Sequence, residues 1–227
     1  MGFKDLFKKK DKGSVGPVYL YTDDEIKELD EYICETFGNY ANVFHELLSP
    51  DVHLDICVID PTEEEPFYKL VTMGAGAYTM GVPEKYREYC SPNAEYVIFV
   101  PKDWDINNSD INWYWPLKLL KDTARLPIWC DTWLGYGHTT QADEAGATYA
   151  PSTKFNSIVL NFPITKNEDA GPLKMSSGKT IFCYQIIPLY PEELKFKMDN
   201  GADALFDKFQ EKGIDATVVN NDRPSSL

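Results

Sequence analysis

No stretch of this chain is apolar for more than five residues, the longest run being Tyr96 to Val100. A helix that spans a membrane needs about 20 such residues, so a membrane-crossing helix is excluded. Nor is there, after Met1, the apolar segment of roughly 7–15 residues that makes a signal peptide. The expectation is a cytoplasmic protein. Cysteine is scarce and odd in number: five residues, no Cys-x-x-Cys pair, with Cys57 and Cys183 set in apolar stretches. That spacing argues against a disulfide framework or a cysteine metal site, and reads as small buried hydrophobes. Histidine is scarcer still, at three residues. The Gly-x-Ser-x-Gly elbow is missing, Gly178-Lys179-Thr180 lacks the upstream glycine of a Walker loop, and Gly74 and Gly76 lack the third glycine of a dinucleotide fingerprint.

What is present is a core and a charge. Hydrophobic residues make up 43% of the 227 and aromatic residues 14%, enough for one folded domain and too much for global disorder. The formal net charge is −14. The first twelve residues hold five lysines and two aspartates, so residues 13–227 carry −17. Such a body repels a phosphate backbone and speeds encounter with a basic partner. Residues 1–16 read as a flexible basic tail and 220–227 as a polar tail, leaving 17–219 as the domain. Gly2 would suit myristoylation, but Leu6 stands where that motif requires Ser or Thr. Phe3, Leu6 and Phe7 do not by themselves make a membrane anchor.

Along the chain, Thr22 with Glu25 three residues on forms a capping box, and Ile26, Leu29, Ile33 and Phe37 follow at helical spacing up to Gly38. Tyr40, Val43, Phe44, Leu47 and Leu48 predict a second short helix ended by Pro50. Strands are predicted at 52–60, 68–80, 95–101, 155–163 and 179–190, with a bulge or close backbone contact at Gly74 and Gly76. Further helices are predicted at Ile111–Arg125, from Pro191, and at Ala202–Lys212. Helices at both ends and once between antiparallel hairpins make an α+β fold: a single domain with a central, mostly antiparallel or mixed sheet.

His53 and Asp55, two apart on one strand, point the same way and with His138 would give a sparse metal site for a hydrolase. Polar residues on the wetter face of a strand explain the pair as well, and no bound metal or cofactor is expected. Cys130 lies near His138 in sequence only. The densest unusual stretch is Trp129 to Thr140, preceded by Trp113, Tyr114 and Trp115. Its rings and glycine hinges are typical of binding surfaces.

Several motifs fall in one order. Val52-His53-Leu54-Asp55-Ile56 precedes Pro61-Thr62, then Leu70-Val71-Thr72-Met73-Gly74 leads to Met80 and Val82-Pro83. The Pro101–Trp104 turn, Trp115-Pro116 with Leu119-Leu120, Thr132 through Thr139, and Ile187 through Leu194 follow. Over roughly residues 25–215 this order resembles the Suppressor-of-fused domain family. The resemblance implies a protein-binding domain rather than an enzyme. The family's animal members regulate Hedgehog signalling by binding transcription factors and carry a further C-terminal domain, whereas this chain corresponds to the first domain only. Short bacterial members act as immunity proteins that neutralise a toxin by binding it. A cytoplasmic immunity protein with a protein partner, such as a basic toxin domain, is therefore expected; a regulatory module that binds a peptide along a strand edge is the alternative. The expected partner site comprises Trp133 and Tyr136 as anchors, His138 and Thr139 beside them, and Asp131, Asp143 and Glu144 at the rim. The acidic 23–31 helix face is the next candidate.

Overall fold

Thr22 opens the first helix as its spacing predicts: its hydroxyl accepts from the Glu25 N–H (3.3 Å), and the Glu25 carboxylate accepts from the Thr22 N–H (3.0 Å). The computed structural model describes residues 18–143, 145–165 and 171–227; the 1–16 tail and Glu144 lie outside the described residues. Helix α1 (Asp23–Phe37) buries Leu29, Ile33 and Phe37. Ile26, expected on the same stripe, is 41% exposed. Its place is taken by Glu25, which turns inward because Lys179 (3.0 Å) and Ser177 (2.8 Å) meet its carboxylate.

Eight strands among the described residues form one sheet: β1 (Asn42–Phe44), β2 (Asp55–Ile59), β3 (Phe67–Met73), β4 (Asn93–Pro101), β5 (Thr139–Gln141), β6 (Ser157–Asn161), β7 (Leu173–Lys174) and β8 (Thr180–Leu189). Their order is β1-β2-β3-β4-β8-β6-β5, with β7 also on β8. Strands β1 to β4 run as an antiparallel meander, with Val58 opposite Leu70 and Leu70 opposite Ile98. The β4–β8 pairing is parallel, with Tyr96 opposite Tyr184, and makes the sheet mixed.

Helix α2 (Ile111–Cys130) covers one face, where Trp115, Leu119 and Leu120 join Ile56, Val58, Ile98 and Leu160. On the other face α1 meets Cys57, Ile59, Val97, Phe99 and Ile181. Near β6 and β8, α3 (Pro191–Asn200) and α4 (Ala202–Lys212) complete that layer, with Leu205 and Phe209 against Val159, Ile187 and Leu189. The unbroken run Tyr96–Val100 now has its reason. Tyr96, Ile98 and Val100 face α2 while Val97 and Phe99 face α1, so β4 is buried on both sides.

Three expectations need correction. The predicted 40–48 helix is instead edge strand β1 and a loop, in which Leu47 and Leu48 are 93% and 85% exposed. Pairing of Val43 with Cys57, and capture of the His45 ring and the Glu46 N–H by Asp55, hold this segment to β2 and override its helical period. The 68–80 strand stops at Met73: Gly74 has φ 134°, and a Cβ there would lie 2.0 Å from the His53 carbonyl oxygen. The close backbone contact was legible from the glycines; the end of the strand was not. Finally, residues 220–227 are docked on the body. Arg223 is buried, its guanidinium bound to both carboxylate oxygens of the fully buried Glu193 (2.7 and 2.6 Å) and flanked by the rings of Phe155, Tyr190 and Phe209.

Candidate functional site

The 131–138 loop follows α2 directly. Asp131 ends the helix in the left-handed region (φ 48°), its N–H still bonded to the Pro127 carbonyl. Leu134 and Gly135 then enter the core. Leu134 is 3% exposed, and a Cβ on Gly135 would come within 2.8 Å of the Cys90 sulfur, which fixes glycine there. Gly137 (φ 74°) donates its N–H to the Leu160 carbonyl (2.8 Å), joining the loop to β6 before β5 begins.

With its centre anchored, the loop holds half-buried rings on two sides, Trp133 and Tyr136 both packed against the core. Trp133 stacks on Tyr86 (centroids 5.4 Å apart), and the His138 ring lies 4.3 Å from Trp133. Tyr89, on the same turn as Tyr86, is 67% exposed. On the other side Tyr136 stacks on Phe162 (5.4 Å, planes 11° apart), meets Phe206, and donates its hydroxyl to Asp203. Burial and the Asp203 carboxylate push the Tyr136 hydroxyl up to about 12. Burial lowers the His138 pKa, and Lys197 adds to that, so the ring is neutral at neutral pH. The Thr139 hydroxyl, on β5, reaches the Met198 sulfur at 3.8 Å.

The loop therefore holds Trp133 with His138 on one side and Tyr136 on the other, with Thr139 at Met198 and Asp131 exposed at the loop's start. Asp143 belongs elsewhere: it lies past the far end of β5, accepts from the Ala147 N–H (2.8 Å), and lines a cleft against α2. Trp129 is a support, its indole N–H bonded to the buried Asp51 at 2.8 Å. The Cys130 thiol is pushed up by burial, the wrong direction for a nucleophile.

The His53–Asp55–His138 set does not form. His53 and Asp55 are adjacent (3.4 Å), but the second histidine on Asp55 is His45 (2.9 Å), while His138 packs on Trp133. Among the described residues no group of three or more His, Cys, Asp or Glu side chains is placed to hold a metal. A Ser49–His53–Asp55 chain does form, with Ser49 Oγ 2.8 Å from His53 Nδ1. Ser49 also lies 2.9 Å from the Glu46 carboxylate. A carboxylate only accepts, so the Ser49 hydroxyl hydrogen is directed at Glu46, and the direction of the Ser49–His53 bond follows the ring's tautomer. Glu46 is itself bound by Arg125 and by the Leu54 N–H. The group braces the 45–53 segment against α2. Ser49, Glu46 and Arg125 were absent from the expected site because nothing in their spacing marks contacts across so much sequence.

A mixed sheet covered on both faces by helices defines a single α+β domain. The family model for Suppressor of fused protein (SUFU) matches residues 50–224, and the chain belongs to that family. The match leaves α1 outside it. Among solved structures, a SUFU homologue from Neisseria gonorrhoeae FA 1090 aligns at 16% identity and TM-score 0.58, over 89% of this chain and 94% of that one. The chain in a Sufu–Fu complex aligns at 14% identity and TM-score 0.59, over 88% and 90%. Drosophila Suppressor of Fused gives 14% and 0.59, over 88% of this chain but 50% of that longer one. These likenesses show the fold. No curated protein sequence matches the chain, and no helix among the described residues is long and apolar enough to cross a membrane.

Proposed function

We propose that this protein is a non-enzymatic binding domain that works by covering a partner's surface, as an immunity protein masking a basic toxin domain in the cytoplasm. The observation that supports this reading is the anchored loop: Leu134 and Gly135 lie in the core, and the half-buried Trp133 and Tyr136 stack on the exposed Tyr86 and Phe162. Rigid aromatic area loses little entropy on binding, which is why such residues dominate interface energies. The net charge of −14 favours a basic partner, and exposed Asp131, Asp203 and Asp207 lie on or beside the loop's surface.

The test is binding to purified basic toxin domains, including any encoded beside this protein's gene. Tyr136→Ala should weaken binding about thirtyfold, the scale of an anchor worth about 2 kcal/mol, at any salt concentration. Asp207→Asn, a charge beside Tyr136, should act only at low salt. Unchanged affinity in folded Tyr136→Ala, His138→Ala and Asp131→Asn variants would remove the site, and the 23–31 helix face would be examined next. The alternative, a peptide added as a strand, is favoured by the position of β5 at the end of the sheet, directly after the aromatic loop. Proline placed at alternate positions of the bound segment would abolish that mode and leave surface masking intact.

A further inference from the structure

The two sides of the aromatic loop differ in charge. Beside the Trp133–Tyr86 stack, Lys85 and Arg87 balance Glu84 and Glu88. The Lys85 ammonium lies 4.6 Å from the centre of the Tyr86 ring, and Lys197 adds to burial in lowering the His138 pKa. That side already holds its cations. Beside Tyr136 the balance is reversed. Asp203 and Asp207 are both exposed and stand four residues apart on α4, where like charges repel. After burial, these two carboxylates are what hold the Tyr136 hydroxyl up. Lys195 and Lys208 on the same pair of helices are spent on Asp199 and Glu211. Among the described residues, no ion pair reaches Asp203 or Asp207. Tyr136 gives its hydroxyl hydrogen to one Asp203 oxygen, Oδ1. The second oxygen, Oδ2, and a lone pair on Tyr136 Oη remain as neighbouring acceptors. Phe162, stacked on Tyr136, is 47% exposed, so an open ring lies next to those acceptors.

We infer that the Tyr136 side, and not the Trp133 side, receives an arginine of the protein partner, its guanidinium on Asp203 and Tyr136 and its stem across Phe162. A guanidinium donates two N–H groups in one plane, which suits the paired Oη and Oδ2 acceptors. An ammonium is a compact and more strongly hydrated point charge, so lysine fits less well. The methylenes of the stem cover the exposed ring while the charge stays at the rim. Asp207 adds to the field without touching the arginine, and salt screens that contribution. An acidic side chain is repelled by both aspartates. The assignment rests on the masking reading for the partner's basic face, and it divides the surface of that reading in two.

The test is an NMR titration of 15N-labelled protein with the capped peptide acetyl-Gly-Leu-Arg-Leu-Gly-amide, and with versions carrying Lys, norleucine or Glu in place of Arg. The arginine peptide should shift the backbone amides of Tyr136 and Asp203, with a Kd roughly in the millimolar range, and leave those of Tyr86 and Tyr89 in place. Lysine should weaken binding roughly threefold and norleucine roughly tenfold or more, and the glutamate peptide should not bind. Asp203→Asn should weaken the arginine peptide roughly tenfold, as for one charge-assisted hydrogen bond lost. Its position is exposed, so the melting temperature should not change. Arginine and norleucine peptides that bind alike, shifts centred on Tyr86 and Tyr89, or no shift at all would each overturn the inference. Two results separate it from the masking reading. If the peptides behave as stated but no basic toxin domain binds, the masking reading fails and the arginine site stands. If a toxin domain binds folded Asp203→Asn as tightly as wild type at low and high salt, the arginine site fails and the masking reading stands.

Discussion

Glu95 is wholly enclosed, and five donors converge on its carboxylate: the Tyr21 hydroxyl (2.8 Å), the Thr72 hydroxyl (2.5 Å) and the N–H groups of Gly74, Ala75 and Gly76. Burial raises its pKa and the donors only partly offset that. This one side chain ties the segment before α1 to the turn after β3. The turn can fold around it because Gly74 has no Cβ. Gly74→Ala would press a methyl into the His53 carbonyl at a φ that L side chains avoid, costing roughly 3 kcal/mol or more; urea denaturation measures it. His138 gives a pH signature. Its folded pKa lies below the ordinary value near 6.5, so the unfolded chain binds this proton more readily. The stability it contributes is complete above about pH 6.5 and declines as pH falls towards the folded pKa. His138→Gln should flatten that part of the melting-temperature curve, and an unchanged curve would mean the ring is not held neutral.

At the scale of elements, the C-terminal segment is fastened by one buried ion pair and three rings. Glu193 at the start of α3 also caps the Tyr190 N–H (3.0 Å) and accepts from the Ser226 N–H (2.9 Å). Arg223→Ala would leave that carboxylate buried without its counter-ion, a loss of roughly 3–5 kcal/mol. At about 2–4 °C per kcal/mol for a domain of this size, the melting temperature should fall by about 10 °C. Calorimetry decides it; a fall of only a degree or two would mean that the segment is loosely held. The same reasoning explains why 220–227 reads as a tail: polarity marks it as exposed, and nothing local announces that Arg223 is enclosed by Phe155, Tyr190 and Phe209.

For the whole molecule, the masking function proposed above requires charge to set the rate of encounter and the aromatic surface the lifetime of the complex. Raising salt from about 0.05 M to about 0.5 M should slow association with a basic partner roughly tenfold or more while leaving dissociation nearly unchanged. Stopped-flow mixing measures both; salt-independent association would point to a partner that is not basic, and against the toxin reading.

Local pattern determined much of this protein. The capping box at Thr22, the 3.6-residue period of α1 and α4, the two-residue period around β2, and the ordered motifs through Ile187–Leu194 all depend on neighbours within a few positions. They gave the α+β class, the helix over the sheet and the family. Tertiary structure alone decided the rest: β1 in place of a helix, the parallel β4–β8 pair, the separation of Asp143 from Trp133, and His45 rather than His138 beside Asp55. The reason is distance along the chain. Arg125 meets Glu46 across 79 residues and Tyr136 meets Asp203 across 67, and no local period encodes a contact that forms only when the sheet brings its ends together.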